Sequence, residues 1–164
     1  MNIYLIGMMG SGKSAVADLL ARHLQWKMED VDELIVAHEG CNINDIFAHK
    51  GEPYFRQVEQ AMLKKVAART EVVVATGGGI VLNADNMQIM RASGKMIYLK
   101  ASTDVLQVRL KGKSDRPLLK VAFPQDELDK IFHRRAGLYA KADYAIDTTE
   151  KGPEDVTAEI IQLL

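Results

Sequence analysis

Ile3-Tyr4-Leu5-Ile6-Gly7-Met8-Met9-Gly10-Ser11-Gly12-Lys13-Ser14 is the stretch on which the reading of this chain turns. Ile3–Ile6 is a short apolar run stopped by a glycine, which predicts a buried strand. From Lys13 onward Ala15, Val16, Leu19, Leu20 and Leu24 recur at helical spacing. Positions 7–14 fit G-x-x-x-x-G-K-[ST], and they close a predicted strand and open a predicted helix, the context that pattern requires. Average composition produces the pattern by chance in on the order of one such chain in two hundred, and the context multiplies its specificity. The glycines let backbone N–H groups turn inward around an anion-sized hollow. The helix N-terminus adds unpaired donors and a positive dipole end. Lys13 suits the β and γ phosphates of a nucleoside triphosphate and the Ser14 hydroxyl suits Mg²⁺. A glycine-rich turn with an exposed lysine is the plain alternative.

Outward from that stretch, short apolar runs alternate with longer helical patterns, the arrangement of parallel strands joined by crossover helices. Further strands are expected at 27–31, 72–75, 96–99 and 144–146. Helices are expected at 32–39, 44–50, 53–68, 84–92, 104–110, 125–140 and 153–164, with Pro53 and Pro153 in first turns, where the missing N–H costs nothing. The fold class is therefore α/β. The 164 residues fit one domain, 1–164. Positions 111–120, with charges, a glycine, a proline and no clean period, read as a loop, either a functional lid or an exposed connection.

Hydrophobic residues at 48%, charged residues at 26% and a net charge of −1 describe an ordinary globular chain with no bulk attraction for nucleic acid or membranes. Any anionic ligand must be held by local cations. The single Cys41 excludes an internal disulfide and a thiolate cluster. No apolar run approaches a membrane span, and the first residues lack a basic leader pattern, so the expectation is cytoplasmic. The four histidines have no ligand spacing, and the eight methionines read as core filler.

The loop alone does not separate kinases from other users of nucleoside triphosphates. The guanine-reading N-K-x-D is absent, and the run ending Thr76-Gly77-Gly78-Gly79 lacks the aspartate a hydrolytic ATPase often carries there. An acidic pair, Asp30-Val31-Asp32, instead follows the predicted second strand. Alternate residues on extended chain share a face, so one carboxylate can support magnesium while the other orients an acceptor hydroxyl. A solvated acidic helix start (Glu29, Asp30, Asp32, Glu33) is an equal alternative. Arg56 stands three residues before Glu59 on a predicted helix. Arg56, Arg116, Arg134 and Arg135 are either surface charges or, gathered at one site, a set that binds carboxylate and stabilises a transition state.

The ordered set GMMGSGKS at 7–14, DVD at 30–32, GEPYFRQVE at 51–59, ATGGG at 75–79, RPLL at 116–119 and RRAGLY at 134–139 resembles the shikimate kinase family across essentially the whole chain. The resemblance implies a five-stranded parallel sheet of order 2-3-1-4-5 flanked by helices, a substrate-binding segment near 32–60 and a lid near 111–123. It implies transfer of the γ-phosphoryl of ATP to the 3-hydroxyl of shikimate in aromatic amino-acid synthesis, with Mg²⁺; the lack of an obvious extra apolar helix face points separately to a monomer. Under it Lys13, Asp32 and Arg116 are the catalytic candidates. ATP falls to Gly10, Ser11, Gly12, Lys13, Ser14, Ala15, Arg109, Arg116 and Pro153. Shikimate falls to Asp32, Arg56, Gly77, Gly78, Gly79 and Arg135, and the metal to Ser14 and, through water, Asp30. Arg135 is preferred to Arg134 because the family arginine lies four residues before the tyrosine, here Tyr139. Ala15 stands where a threonine is common in the family, a side chain that is not a required ligand. A gluconate kinase, or a non-catalytic relative that senses ATP or shikimate, are the rival readings.

Overall fold

Strand β1 (Asn2–Ile6) is buried along its whole length, and its side chains serve two separate cores. Tyr4 and Ile6 enter one, Ile3 and Leu5 the other, as the period-two alternation of a strand dictates. Such a strand, apolar on both faces, belongs in the middle of a parallel sheet. The computed structural model, which describes residues 1–111 and 124–164, puts it there. Around it lie β2 (Lys27–Asp30), β3 (Val72–Ala75), β4 (Gly94–Lys100) and β5 (Tyr144–Asp147), all parallel, in the order β2-β3-β1-β4-β5. This is the expected topology. Tyr4 pairs with Val74 on one side and Met96 on the other.

Helices α1 (Lys13–Leu24) and α7 (Pro153–Leu163) pack together over one face, where Val16, Leu20, Val156 and Ile160 meet Ile3, Leu5, Val73 and Ile97. The other face carries α2 (Val31–Glu39), α3 (Ile43–Ala67), α4 (Ala84–Ser93) and α6 (Pro124–Tyr139), with Ile35, Leu63, Met90 and Leu128 among its buried side chains. Helix α5 (Thr103–Leu110) adds Leu106 and Leu110 to the same core. Six of the methionines, Met8, Met9, Met62, Met87, Met90 and Met96, lie in this core, as their reading as filler expects.

The second strand stops one residue short of the expected boundary. Asp30 accepts hydrogen bonds from the backbone of Asp32 and Glu33, and this cap turns the chain into α2 at Val31. The two helices expected at 44–50 and 53–68 form a single element, α3, broken at Gly51 (φ 80°, ψ 169°), a conformation that only glycine adopts without strain. A 3-10 turn at Ile80–Leu82, after the glycine run, was not anticipated. Arg116 and positions 112–123 of the expected lid lie outside the described residues.

At the opposite edge Asn2, fully buried, donates to Arg69 O (2.9 Å) and accepts from Val72 N (3.2 Å). One side chain thus joins the start of β1 to the link between α3 and β3. Asn2→Ala strands a backbone donor and a backbone acceptor, and is expected to lower unfolding free energy by about 1–3 kcal/mol in urea titrations. A change within about 0.5 kcal/mol, the range of an inconsequential surface substitution, would show that these groups find other partners.

Candidate active site

Parallel strands bring their C-terminal ends to one edge, where ligands of such sheets bind. That edge opens into a cleft of about 1130 Å³. Residues 10–15 line it together with Asp30, Asp32, Gly78, Arg109 and Pro153, so the residues assigned to ATP in the described chain share one cavity. Asp30, Asn42, Asn83 and Ser102 cap α2 to α5 with their side chains, whereas α1, which begins at the cleft, has no side-chain cap. Its first intrahelical bond runs from Val16 N to Gly12 O, so the Ser14 and Ala15 amides precede the ladder, in residues that line the cleft. Lys13 is buried, with Nζ donating to the carbonyls of Gly7 and Met8 (2.8 Å each). The ammonium is held at the rim of the phosphate cradle.

Ser14 Oγ donates to Asp30 Oδ2 (2.6 Å), while Asp30 Oδ1 accepts from Asp32 N (2.9 Å). The two readings of the acidic pair therefore coexist: Asp30 caps a helix and also stands at the phosphate loop. Asp32 reaches the cleft from the first turn of α2 and not by alternation along a strand, which corrects the extended-chain argument. At the far end Arg109 donates to the Thr148 hydroxyl (3.1 Å) and carbonyl (2.7 Å), which fixes its guanidinium against the loop leading to Pro153.

Beside the cradle, four ionisable side chains gather around Gly77-Gly78-Gly79. A Cβ on Gly77 would stand 3.0 Å from carboxylate oxygens of both Asp32 and Glu59. On Gly78 it would stand 3.2 Å from Arg135 Nη1, and on Gly79 2.6 Å from Arg56 Nη1. Arg56 donates to Glu59 (3.0 Å) and Glu52 (3.1 Å). Arg135 is buried, and among the described residues its Nη1 has no hydrogen-bond partner; nor has Glu59 Oε2. Buried polar atoms are nearly always satisfied, and these two open ones lie against the same glycine run. Burial pushes the Glu59 carboxyl up to about 7, against the pull of Arg56. Tyr139, one turn after Arg135, donates to Gly78 O (2.6 Å) and stacks on Tyr98, with ring centroids 5.0 Å apart.

Glu59, Tyr139 and Thr148 were absent from the sequence-derived site. For Glu59 a signal existed: Phe55, Met62, Leu63 and Val66 form an apolar stripe, and Glu59 interrupts it. Tyr139 had the i, i+4 spacing from Arg135. Thr148 follows a strand without any pattern.

A strand-to-helix phosphate cradle at this edge, with carboxylates and guanidiniums against a neighbouring glycine run, defines a P-loop phosphotransferase. The family model described as shikimate kinase matches residues 9–164. A shikimate kinase from Thermodesulfovibrio yellowstonii is 42% identical over 98% of this chain and 93% of its own length. The structure of shikimate kinase from Acinetobacter baumannii in complex with shikimate superposes with a TM-score of 0.96 at 35% identity, covering 99% of this chain and 91% of that one. A gluconokinase from Sinorhizobium meliloti 1021 shares the fold alone, with a TM-score of 0.61 at 17% identity over 98% of this chain and 89% of that one. The chain belongs to the shikimate kinase family.

Gly79→Ala is compatible with the backbone there (φ −91°) but drives a methyl into the Arg56 guanidinium. The variant is expected to fold, with a melting temperature within a few degrees of wild type, and to raise KM for the acceptor by at least about tenfold, since small misplacements at a reacting site are costly. An unchanged acceptor KM would mean that Arg56 moves aside without consequence.

Proposed function

We propose that the chain transfers the γ-phosphoryl of ATP to the 3-hydroxyl of shikimate, releasing shikimate 3-phosphate and ADP, in the cytoplasm. The observation that supports this most is the buried, unpartnered Nη1 of Arg135 beside Gly78, with Arg56 at Gly79 and Asp32 at Gly77. That set offers one planar anion site and, next to it, a carboxylate able to take a hydrogen bond from a ring hydroxyl. Shikimate carries both groups.

In this reading Arg56 and Arg135 hold the substrate carboxylate, and Gly77–Gly79 let its ring lie against the backbone. Asp32 orients the acceptor hydroxyl and accepts its proton as the bond to phosphorus forms. Positioning supplies most of the rate, because the transition state is loose and demands little covalent help. Lys13 and the amides of residues 10–15 hold the β and γ phosphates, and Arg109 and Pro153 flank the base. The hard oxygen donors Ser14 and Asp30, already 2.6 Å apart, suit Mg²⁺, with Asp30 acting through water. When bound, the ion supplies charge neutralisation on the phosphates.

The test is ADP release in a coupled assay with ATP, Mg²⁺ and, in turn, shikimate, quinate and gluconate. Release with shikimate at least about tenfold faster than with the others supports the reading. Preference for gluconate would favour the sugar-acid kinase, and ATP binding without release would favour a non-catalytic sensor. Release that survives a chelator would remove Mg²⁺ from the scheme.

A pH dependence follows from Glu59. Its pKa, near 7 in the free chain, rises further when a substrate carboxylate sits beside it. Binding therefore takes up a proton. Affinity is greatest below the free-chain value and falls as pH rises through the bound-state value. KM for shikimate is expected to climb between about pH 6 and pH 9, and to flatten in Glu59→Gln. A flat wild-type profile would show that binding leaves the Glu59 pKa unchanged, and proton uptake would drop out of the scheme.

A further inference from the structure

Glu39 is the last residue of α2, where the negative end of the helix dipole disfavours a carboxylate. Its side chain is nonetheless only 5% exposed, and both oxygens are occupied by α3. Oε1 accepts from the Tyr54 hydroxyl (2.8 Å) and Oε2 from Lys50 Nζ (3.1 Å). Lys50 Nζ also stands 3.3 Å from the Tyr54 oxygen and 4.5 Å from the centre of its ring. The Tyr54 hydrogen bond, helped by Lys50, holds the Glu39 carboxyl below the usual range, so the group is ionised where the enzyme works.

Lys50 and Tyr54 flank Gly51, the break in α3. Glu39 thus joins three pieces of backbone: the end of α2, the segment before the break and the segment after it. The first and third carry acceptor-site groups. Asp32 lies at the opposite end of α2, about 10 Å along the axis. Arg56 lies two residues beyond Tyr54. Without a cross-link, a glycine held at φ 80° would be the only covalent constraint between the two halves of α3.

We propose that Glu39, Lys50 and Tyr54 are positioning residues for the acceptor, a clasp that sets the separation of Asp32 and Arg56 without touching substrate. The proposal rests on the reading of Asp32 and Arg56 as acceptor ligands. It places a determinant of acceptor affinity at the end of α2 away from Asp32, in side chains outside the site described above. An acid at a helix C-terminus breaks a local rule, and such departures accompany a compensating role elsewhere.

Steady-state kinetics on the full chain test it. Tyr54→Phe keeps the ring and removes only the hydroxyl, and Glu39→Ala removes the whole centre. Each is expected to raise KM for shikimate about five- to fiftyfold, in line with the cost of misplacing a binding group by an ångström. KM for ATP should stay within about twofold, since the phosphate loop hangs on β1 and α1. In the Glu39→Ala background, Tyr54→Phe should add almost nothing, because both act through one contact. An unchanged shikimate KM in both variants, or an equal rise for both substrates with a lowered melting temperature, overturns the proposal, the latter being the mark of a merely structural contact. Arg56→Ala separates the two levels. If it raises the shikimate KM while the clasp variants do not, the clasp alone falls. If it too leaves that KM unchanged, the acceptor-site reading falls with it.

Discussion

Glu59 is a carboxylate almost wholly removed from water, and the acceptor side of the cleft is organised around making that tolerable. A buried charge costs several kcal/mol unless cations stand beside it. Arg56 supplies one at 3.0 Å, and Arg135 lies on the neighbouring stretch of the glycine run. Two guanidiniums and two carboxylates fit into so small a volume only if the backbone between them has no side chains. Gly77-Gly78-Gly79 meets that requirement, and the Tyr139 hydroxyl holds it in place from below. The guanidinium capacity that Glu59 leaves over is what a ligand carboxylate can use.

The sheet divides the labour. Helix α1 lies on one face, braced by α7, while Met8 and Met9 of the phosphate loop pack into the core on the other, where α2, α3 and α6 carry Asp32, Arg56, Glu59 and Arg135. The loop and these side chains come together at the strands' C-terminal edge, where the glycine run lies against Gly7 and Met9. There β1 ends in the cradle, β2 in Asp30 and β3 in the glycine run. The order β2-β3-β1 sets these three endings side by side.

Much of this was legible in the residues. The unbroken apolar run Ile3-Tyr4-Leu5-Ile6, the loop at 7–14 and the helical spacing from Lys13 are local signals with local causes, and the strand and helix they predict are present within a residue or two. Asp30 was harder, because a capping carboxylate and a metal-supporting carboxylate have the same sequence signature, and here one side chain meets both descriptions. Whether an arginine is a surface charge or a binding group depends on what packs over it. Arg135 is buried by tertiary contacts that no spacing within α6 encodes, while Arg134 next to it is not. Thr148 owes its place at Arg109 to a contact 39 residues apart in sequence. The sheet order came from family likeness, since periodicity does not say which strands are neighbours.

The bare N-terminus of α1 has a consequence for the lifetime of the chain. Asp30, Asn42, Asn83 and Ser102 each satisfy amides in the first turn of their helices, whereas α1 and α7 have no side-chain cap; at α7 a proline removes one donor, and at α1 the first amides are open to a solute. A solute that binds only the folded form stabilises it by mass action, by about 2.7 kcal/mol when present at a hundred times its dissociation constant. That is a large share of the margin by which a domain of this size stays folded. A nucleotide held at that helix start would thus add to the stability of the fold as well as take part in turnover, and a chain without one would spend more time open to proteases.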